Sequence, residues 1–232
     1  MAVQDEEKRL AGLAAAEAVR PGMALGLGSG TTVYFFLEEL GRRARAGLEV
    51  VGIPTSERTA ELARDFGIPL TTFDQRQELD LAVDGADEVD PELNLIKGHG
   101  GALLREKIIA LAARRLVIVV DSSKLSSALA TKAGLPVEVV PFAAALARAR
   151  LEALGGQAAL RQDGGQPFVS DNGNWILDCT FPPLADPAAL ERDINRVPGV
   201  MDNGLFIGLA SEVLVGREGG VERLVSSRQA RA

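Results

Sequence analysis

The chain has 232 residues, 47% of them hydrophobic, and a formal net charge of −7. This apolar content can form a sizeable buried core and argues against intrinsic disorder. An acidic surface disfavours nucleic acid and anionic membranes as partners, and no apolar run reaches the roughly 18 to 20 residues of a membrane-spanning helix. With one cysteine, Cys179, and one histidine, His99, the sequence lacks a transition-metal motif. We therefore expect no metal, and a reducing, cytoplasmic environment.

The first half of the chain alternates helical and strand patterns. Helices are predicted over residues 5–20, 31–45, 56–66 and 101–115. Strands are predicted over 23–27, 48–53, 68–71, 79–83 and 116–120. Such alternation predicts an α/β fold with a Rossmann-like, mostly parallel sheet and helices on both faces.

The pattern changes near residue 135. A strand at 136–140, a helix at 142–154, several strands within 157–180 and a helix at 187–195 are typical of a small α+β, ferredoxin-like unit. Two further strands, predicted at 206–209 and 212–215, could return to the first sheet. We therefore predict a Rossmann-like catalytic domain made of residues 1–132 and 205–232, with a small α+β domain, 133–204, inserted into it.

Four polar segments directly follow predicted parallel strands. They are residues 26–32, the Thr55-Ser56 turn, the acidic segment 84–88 and the Asp-Ser-Ser-Lys turn 121–124. In an open parallel sheet the carboxyl ends of the strands line one crevice. The four segments are therefore expected at a common edge.

The first segment, Gly-Leu-Gly-Ser-Gly-Thr-Thr, joins a strand to a helix. Glycines let the backbone approach an anion, and a helix start offers N–H donors. Candidate phosphate-binding residues are therefore Ser29, Gly30, Thr31 and Thr32. The segment lacks the lysine of a Walker loop, and Thr31 stands where a dinucleotide fingerprint has its third glycine. The alternative is a tight turn with Thr31 as the helix cap.

The acidic segment reads Asp-Gly-Ala-Asp-Glu. Carboxylates accept hydrogen bonds from sugar hydroxyls, and small neighbours let a ligand come close. The candidate substrate-binding residues here are Asp84, Gly85, Ala86 and Asp87. The alternative for the acidic group is a solvated turn or a cation site.

A second glycine-rich loop follows Lys97 and leads into a helix that carries Glu106 within an Arg-Glu-Lys triplet. Lys97 and the N–H groups of Gly98, His99 and Gly100 can stabilise an oxyanion, and Glu106 can act as a base. The alternative is a solvent-facing Arg-Glu-Lys stripe on an amphipathic helix. For His99 we favour a backbone role, since histidine tolerates unusual dihedral angles.

The last polar turn ends at Lys124. Its ammonium group could close over a phosphate or a carboxylate. The alternative is a capped turn with a solvated lysine.

These motifs, in this order along nearly the whole chain, resemble the ribose-5-phosphate isomerases of the A type. The resemblance implies interconversion of D-ribose 5-phosphate and D-ribulose 5-phosphate through a cis-enediolate, in the non-oxidative pentose phosphate pathway, without a cofactor. It implies that Glu106 is the base, that the substrate contacts are those given above with Lys124, and that the chain forms a homodimer or homotetramer. From the chemistry we add Asp84 as an aid to ring opening and Lys97 as an oxyanion partner. The family usually has glycine at the position of His99, and a side chain there could narrow the sugar pocket.

Other functions remain open at this point. A sensor could bind a sugar phosphate without converting it, and a coupled isomerisation assay would separate the two. An amino-sugar-phosphate deaminase would release ammonia, and a coenzyme A transferase would exchange thioesters. A dinucleotide enzyme fits least well, because its fingerprint is incomplete.

Overall fold

The computed structural model describes residues 3–225. The α-helices are α1 Val3–Ala16, α2 Thr31–Arg45, α3 Glu57–Asp65, α4 Leu103–Ala112, α5 Ala144–Ala153 and α6 Pro187–Asn195. The strands are β1 Ala24–Leu27, β2 Val51–Pro54, β3 Leu81–Asp84, β4 Glu88–Val89, β5 Leu95–Ile96, β6 Leu116–Asp121, β7 Leu135–Val139, β8 Gln157–Leu160, β9 Gln162–Asp163, β10 Gln166–Pro167, β11 Trp175–Thr180, β12 Val200–Asn203, β13 Leu205–Phe206, β14 Glu212–Arg217 and β15 Gly220–Val225. Two 3₁₀ turns lie at Ser122–Lys124 and Pro141–Ala143.

The described residues divide into two compact units. The first takes in those of Met1–Ala86, Arg105–Lys124 and Gly208–Ala232. Its six-stranded sheet has the order β15-β14-β6-β3-β1-β2, and the five strands from β14 to β2 are parallel. Only β15, at one edge, is antiparallel. The predicted α/β fold with a mostly parallel sheet is therefore confirmed.

Helices cover both faces of this sheet. Strands β1, β3 and β6 are buried along their whole length, as expected of parallel strands with helices on each side. On one face, residues of α1 and α2 pack against Leu25 and Leu27 of β1. On the other face α4 comes so close that a Cβ on Gly26 would lie 2.4 Å from Ile109 Cγ2. Glycine at this position lets α4 lie against the strand.

The second unit, Asp87–Leu104 with Leu125–Ile207, contains a four-stranded antiparallel sheet. Its strands run in the spatial order β12-β7-β11-β8 and in the chain order β7-α5-β8-β11-α6-β12. This is the ferredoxin-like arrangement predicted from the sequence. Residues of α5 and α6 share one apolar core with the sheet. A separate three-stranded sheet has the order β13-β5-β4.

Two strand predictions need correction, and one strand was missed. Residues 68–71 form no strand, only one bridge between Leu70 and Gly52, and Pro69 has no N–H to donate to a ladder. The expected return to the first sheet is confirmed for 212–215 but wrong for 206–209, where β13 pairs with β5. Strand β15 was not predicted, because its largely exposed residues do not form an apolar run.

The compact units and the proposed domains have different boundaries. Residues 87–104 and 125–132 pack within the second unit, whereas the proposed small domain begins at 133. The end of the proposed catalytic domain, beyond residue 225, lies outside the described residues. No helix within residues 3–225 combines the length and apolar character needed to cross a membrane.

Candidate active site

The first glycine-rich loop is held by the carboxylate at the end of β3. Ser29 N and Gly85 N both donate to Asp84 Oδ1, at 3.0 and 2.8 Å, and Gly28 N donates to Val83 O at 2.9 Å. A Cβ on Gly28 would lie 2.3 Å from Asp84 Oδ1. Asp84 therefore anchors the loop, in addition to any contact it makes with a ligand.

Helix α2 begins directly after this loop. Gly30 is its N-cap and makes no side-chain cap hydrogen bond, so the alternative in which Thr31 caps the helix is wrong. Thr31 is exposed and Thr32 is buried. The first N–H groups of a helix have no intrahelical acceptor and favour an anion. The start of α2 is therefore suited to an anion, and the phosphate contact there stays a prediction.

A cluster of hydroxyl groups surrounds Ser29. Its Oγ lies 2.8 Å from Thr55 Oγ1, 2.9 Å from Ser56 Oγ and 2.8 Å from Thr59 Oγ1. Thr59 Oγ1 also donates to Gly28 O at 3.0 Å. Thr55 is fully buried, and within residues 3–225 Ser29 is the only partner of its hydroxyl. We infer that this hydroxyl donates to Ser29 Oγ, because the reverse direction would leave a buried O–H without an acceptor. The cluster fixes the position of the Ser29 oxygen.

Sequence reasoning found only part of this cluster. It singled out the Thr55-Ser56 turn, and Ser56 indeed caps α3 by accepting from Thr59 N at 3.1 Å. It missed Thr59, which lies one helical turn further on and looks like an ordinary helix residue. The spacing Ser-x-x-Thr after a strand was the available signal.

Glu106 is buried, with 6% of its surface exposed, and so is Lys107. Arg105 is half-buried and forms an ion pair with Glu57 at 2.9 Å. The alternative of a solvent-facing Arg-Glu-Lys stripe is therefore wrong. Meanwhile Ile108 and Leu111 of the same helix are 45% and 66% exposed. Burial of a carboxylate on a helix that exposes apolar side chains costs free energy, which is typical of a functional residue.

Glu106 lies on the face of α4 that packs against the sheet. Ile109 and Ala110, three and four residues further on, are buried on the same face, and Ile109 meets strand β1. This spacing directs Glu106 toward the strands of the first unit.

The turn after β6 is anchored to α1. Glu7 Oε2 accepts from Ser122 N at 2.9 Å and Ser122 Oγ at 2.8 Å, and Asp121 Oδ1 accepts from Ser123 N at 3.0 Å. Burial alone would raise the pKa of Asp121, but the hydrogen bonds from Ser123 and Gln4 and the charge of Lys124 lower it below its ordinary value. Lys124 ends this turn half-buried. These hydrogen bonds therefore hold in place the turn that carries the Lys124 ammonium group.

The second glycine-rich loop belongs to the second unit. Lys97, only 3% exposed, donates its backbone N–H to Gly204 O at 2.9 Å, and its ammonium nitrogen lies 5.5 Å from the centre of the Phe206 ring. Gly98 and Gly101 adopt positive φ angles of 104° and 84°. A buried lysine in a glycine turn suits the stabilisation of negative charge.

Three contacts join His99 to Asp87 and Gly134. Its N–H donates to Asp87 Oδ2 at 3.0 Å, its Nε2 lies 2.9 Å from Gly134 O, and its Nδ1 lies 4.0 Å from Asp87 Oδ1. The expectation that histidine serves an unusual backbone angle is wrong. The left-handed angles fall on Gly98 and Gly101, and His99 has none. Its side chain instead occupies space beside Asp87.

Glu88, the last acid of the segment 84–88, has a structural role. It is fully buried and accepts N–H groups from Ala130 at 2.9 Å and Thr131 at 3.1 Å, as well as the Thr131 hydroxyl at 2.6 Å. Burial alone would raise its pKa, but hydrogen bonds from Thr131, Ser126 and Ala133 outweigh burial and lower it. A solvated turn is therefore wrong for Glu88. Within the described chain no three His, Cys, Asp or Glu side chains are grouped to hold a metal.

The first unit places most of the predicted residues along one edge of its sheet. The loop at Ser29, Asp84 and the Lys124 turn follow β1, β3 and β6, which are neighbouring parallel strands. Gly85 and Ala86 follow Asp84 directly, and Asp87 with Lys97, Gly98, His99 and Gly100 belongs to the second unit. A helix start suited to an anion, a buried carboxylate and a lysine at the carboxyl edge of a parallel sheet are typical of α/β enzymes for small anionic substrates.

Comparison with known proteins identifies the family. The model of the family "Ribose 5-phosphate isomerase A (phosphoriboisomerase A)" matches residues 51–220. The ribose-5-phosphate isomerase A of Parvibaculum lavamentivorans is 48% identical over 225 residues, covering 94% of this chain and 97% of its own. That of Gloeobacter violaceus is 52% identical over 221 residues, covering 95% and 96%. The chain belongs to the ribose 5-phosphate isomerase A family.

Solved structures agree with this assignment. A D-ribose-5-phosphate isomerase in complex with phospho-erythronic acid is 40% identical and superposes with a TM-score of 0.93, covering 96% of this chain and 99% of its own. The ribose 5-phosphate isomerase A of Methanocaldococcus jannaschii is 41% identical with a TM-score of 0.90, covering 94% and 97%. The family and the isomerase class predicted from the ordered motifs are confirmed.

Proposed function

We propose that this chain interconverts D-ribose 5-phosphate and D-ribulose 5-phosphate through a cis-enediolate, with Glu106 moving the proton between C2 and C1. The burial of Glu106 carries the proposal, because its helix leaves apolar Ile108 and Leu111 in solvent instead. A carboxylate shielded from water is suited to repeated proton transfer at one carbon centre. Membership of the isomerase family supports the same role at the matching motif.

Ring opening comes first, and Asp84 assists it. The hydrogen bonds from Ser29 N and Gly85 N hold the carboxylate in one orientation, which supports a fixed position for the proton transfer. Gly85, Ala86 and Asp87 contact the sugar hydroxyls. Their small or acidic side chains suit close approach and hydrogen bonding.

Glu106 then removes the C2 proton of the open aldose. Negative charge builds up on oxygen, and Lys97 stabilises it together with N–H groups of the glycine-rich turn, among them that of Gly100. Glu106 returns the proton to C1, which completes the conversion. A positioned general base contributes about 10²- to 10⁴-fold, and a lost oxyanion donor costs about 2.7 to 4 kcal/mol.

The phosphate is bound by the helix start and by Lys124. The hydroxyl of Ser29 and the backbone at Gly30, Thr31 and Thr32 supply neutral donors, and Lys124 supplies a charge. The anchoring of both segments by Asp84 and Glu7 supports this division of roles.

No cofactor takes part in this reaction, since a proton moves within one substrate. We further propose a cytoplasmic homodimer or homotetramer. The resemblance to the family supports the assembly. The single cysteine supports the location, because a chain with one cysteine has no intramolecular disulfide. Burial raises the pKa of the Cys179 thiol to about 12, which suits a structural position.

The test is isomerase activity on ribose 5-phosphate in excess chelator, for the unmodified chain and for Glu106→Gln. We expect kcat to fall by about 10²- to 10⁴-fold while the dissociation constant of ribose 5-phosphate changes less than about threefold. Glu61→Gln, an exposed acid on α3, is the matched control and should keep full activity. More than about a tenth of the original kcat in Glu106→Gln would remove Glu106 from the role. Ammonia release or thioester exchange by the unmodified chain would point to the other enzymes instead.

A further inference from the structure

We propose that Arg161 is a positioning residue that directs the backbone N–H of Gly100 toward the substrate. The inference rests on the proposed function, in which N–H groups of the 97–101 turn stabilise the enediolate. Arg161 lies between β8 and β9, more than fifty residues along the chain from that turn. None of the sequence motifs included it.

The Arg161 guanidinium binds Asp178 on one side and the 97–101 turn on the other. Its Nε and Nη2 donate to the two carboxylate oxygens of Asp178, at 2.9 and 2.5 Å. Its Nη1 donates to two successive carbonyl oxygens, Gly98 O at 3.2 Å and His99 O at 3.0 Å. The side chain is only 13% exposed. A planar guanidinium held by a bidentate ion pair has little freedom, so the two carbonyl groups that it binds are also fixed.

The direction of these carbonyls sets the direction of the N–H groups. In a trans peptide the C=O of one residue and the N–H of the next point in opposite directions. Since His99 O points to Arg161, the Gly100 N–H points away from it. The neighbouring peptide shows the same rule, because Gly98 O binds Arg161 while His99 N donates to Asp87 Oδ2 on the other side.

The Gly100 N–H is available as a donor. Gly100 is exposed, and among residues 3–225 its N–H has no hydrogen-bond partner. The next N–H, that of Gly101, is already bonded to Gly98 O at 3.0 Å. A positive charge on the carbonyl side of a peptide also polarises its N–H and strengthens it as a donor to an oxyanion.

An aromatic ring joins Arg161 to the end of the turn. The guanidinium carbon lies 5.6 Å from the centre of the Phe168 ring, and Phe168 N donates to Arg161 O at 2.9 Å. The same ring lies against Gly101, where a Cβ would approach Phe168 Cζ to 2.4 Å. Arg161 and Phe168 therefore both contact the 97–101 turn, Arg161 through hydrogen bonds and Phe168 through packing.

The experiment compares Arg161→Met and Arg161→Lys with Asp178→Asn. Asp178→Asn alters the ion pair but leaves the carbonyl contacts possible. For each we would measure kcat and KM for ribose 5-phosphate, and the affinity for phospho-erythronic acid and for inorganic phosphate by calorimetry. Phospho-erythronic acid carries a carboxylate where the enediolate carries its charge, so its affinity reports oxyanion stabilisation even without turnover.

For Arg161→Met we expect kcat to fall by about 10- to 100-fold with KM within about threefold. Affinity for phospho-erythronic acid should fall by a similar factor, and affinity for inorganic phosphate should stay within about twofold. For Arg161→Lys, kcat and the affinity for phospho-erythronic acid should lie between those of Arg161→Met and the unmodified chain. The reason is that one ammonium group cannot bind both carbonyls and Asp178 together. Asp178→Asn should reduce kcat less than Arg161→Met does, because the amide oxygen can still accept one of the two hydrogen bonds that fix the guanidinium.

Equal losses for phospho-erythronic acid and inorganic phosphate in Arg161→Met would show a general structural role and overturn the proposal. So would a loss in Asp178→Asn as large as that in Arg161→Met. If Arg161→Met does not fold, Arg161→Lys decides, and unchanged affinity for phospho-erythronic acid in that folded variant contradicts the proposal. If the unmodified chain binds phospho-erythronic acid but converts no ribose 5-phosphate, the proposed function fails, and the affinity ratios still decide the role of Arg161.

Discussion

The two glycine-rich loops have similar compositions but are anchored through opposite backbone groups. In the loop before α2, the Asp84 carboxylate accepts hydrogen bonds from N–H groups, including that of Ser29. In the 97–101 turn, the Arg161 guanidinium donates hydrogen bonds to carbonyl oxygens. The first anchor leaves the start of a helix and a hydroxyl group as donors, which suits a phosphate. The second leaves the Gly100 N–H as a donor, which suits one oxyanion. The anchoring side chain, more than the glycines, decides what each loop can bind.

The largest loss of stability and activity is expected when a side chain is added at Gly28, which packs against Asp84. In Gly28→Ala the new Cβ would meet Asp84 Oδ1 at 2.3 Å and Val83 O at 2.5 Å, so the loop must move. We expect a loss of about 3 kcal/mol in the free energy of unfolding and at least a 100-fold loss of activity. Gly220→Ala, in β15, is the control, since nothing lies within 4 Å of its Cβ and its φ is not left-handed. A Gly28→Ala enzyme with normal activity and melting temperature would contradict the anchoring by Asp84.

Glu88 provides a test within the second unit. Glu88→Gln replaces an acceptor-only carboxylate by an amide that cannot accept all the N–H groups of residues 130–133, and we expect about 2 to 3 kcal/mol of destabilisation by urea unfolding at pH 7. Glu92→Gln, an exposed acid nearby, should change stability by less than about 0.5 kcal/mol.

The difference in stability between the unmodified chain and Glu88→Gln should depend on pH. The pKa of folded Glu88 is lower than that of unfolded glutamate, so its contribution is complete above the unfolded pKa. The stability difference between the unmodified chain and Glu88→Gln should therefore shrink as the pH falls through the folded pKa. A difference that grows on acidification would contradict the lowered pKa.

A smaller effect is expected from the hydroxyl cluster of the first loop. Thr55→Val keeps the shape but removes the hydroxyl that donates to Ser29 Oγ, so Ser29 is held less firmly. We expect KM for ribose 5-phosphate to rise about three- to tenfold with kcat within twofold, at a stability cost of about 1 kcal/mol. Thr55→Ser should restore KM. If Thr55→Ser is as impaired as Thr55→Val, the methyl group and its packing matter, and the hydroxyl does not.

The smallest effect is expected at His99, where the resemblance to the family implies a glycine. His99→Gly removes the contacts of the ring with Gly134 and Asp87 but leaves the Arg161 contacts to the backbone. We expect kcat/KM for ribose 5-phosphate within about threefold, because no catalytic group is lost. The relative rate with D-allose 6-phosphate should rise as the pocket widens. An unchanged ratio would show that the side chain does not limit the sugar.

The sequence predicted the features that arise locally. Buried apolar runs identified the parallel strands, and the Pro187–Asn195 helix was predicted with its exact bounds. Strands β4 and β5, of two residues each, are too short for any periodicity. The placement of 206–209 failed because a short apolar strand fits either sheet, and only packing selects between them.

The site divides in the same way. Gly30, Asp84 and Glu106 were proposed as site residues because motifs of adjacent residues carry them. Thr59 and Arg161 were missed because their roles depend on contacts to residues 30 and 62 positions away in the chain. The burial of Glu106 was also unpredictable from periodicity, since Ile108 and Leu111 suggest a different buried face.

Proton transfer by one carboxylate is tested most directly by conversion of ribose 5-phosphate in deuterium oxide, followed by NMR. The unmodified chain should place deuterium at C1 of ribulose 5-phosphate, because a proton taken by Glu106 can exchange with solvent before it returns. Glu106→Gln, with unchanged melting temperature and undiminished affinity for the sugar phosphate, should incorporate deuterium at least about 100-fold more slowly. Incorporation by that variant at a tenth of the original rate or faster would mean that another group carries the proton.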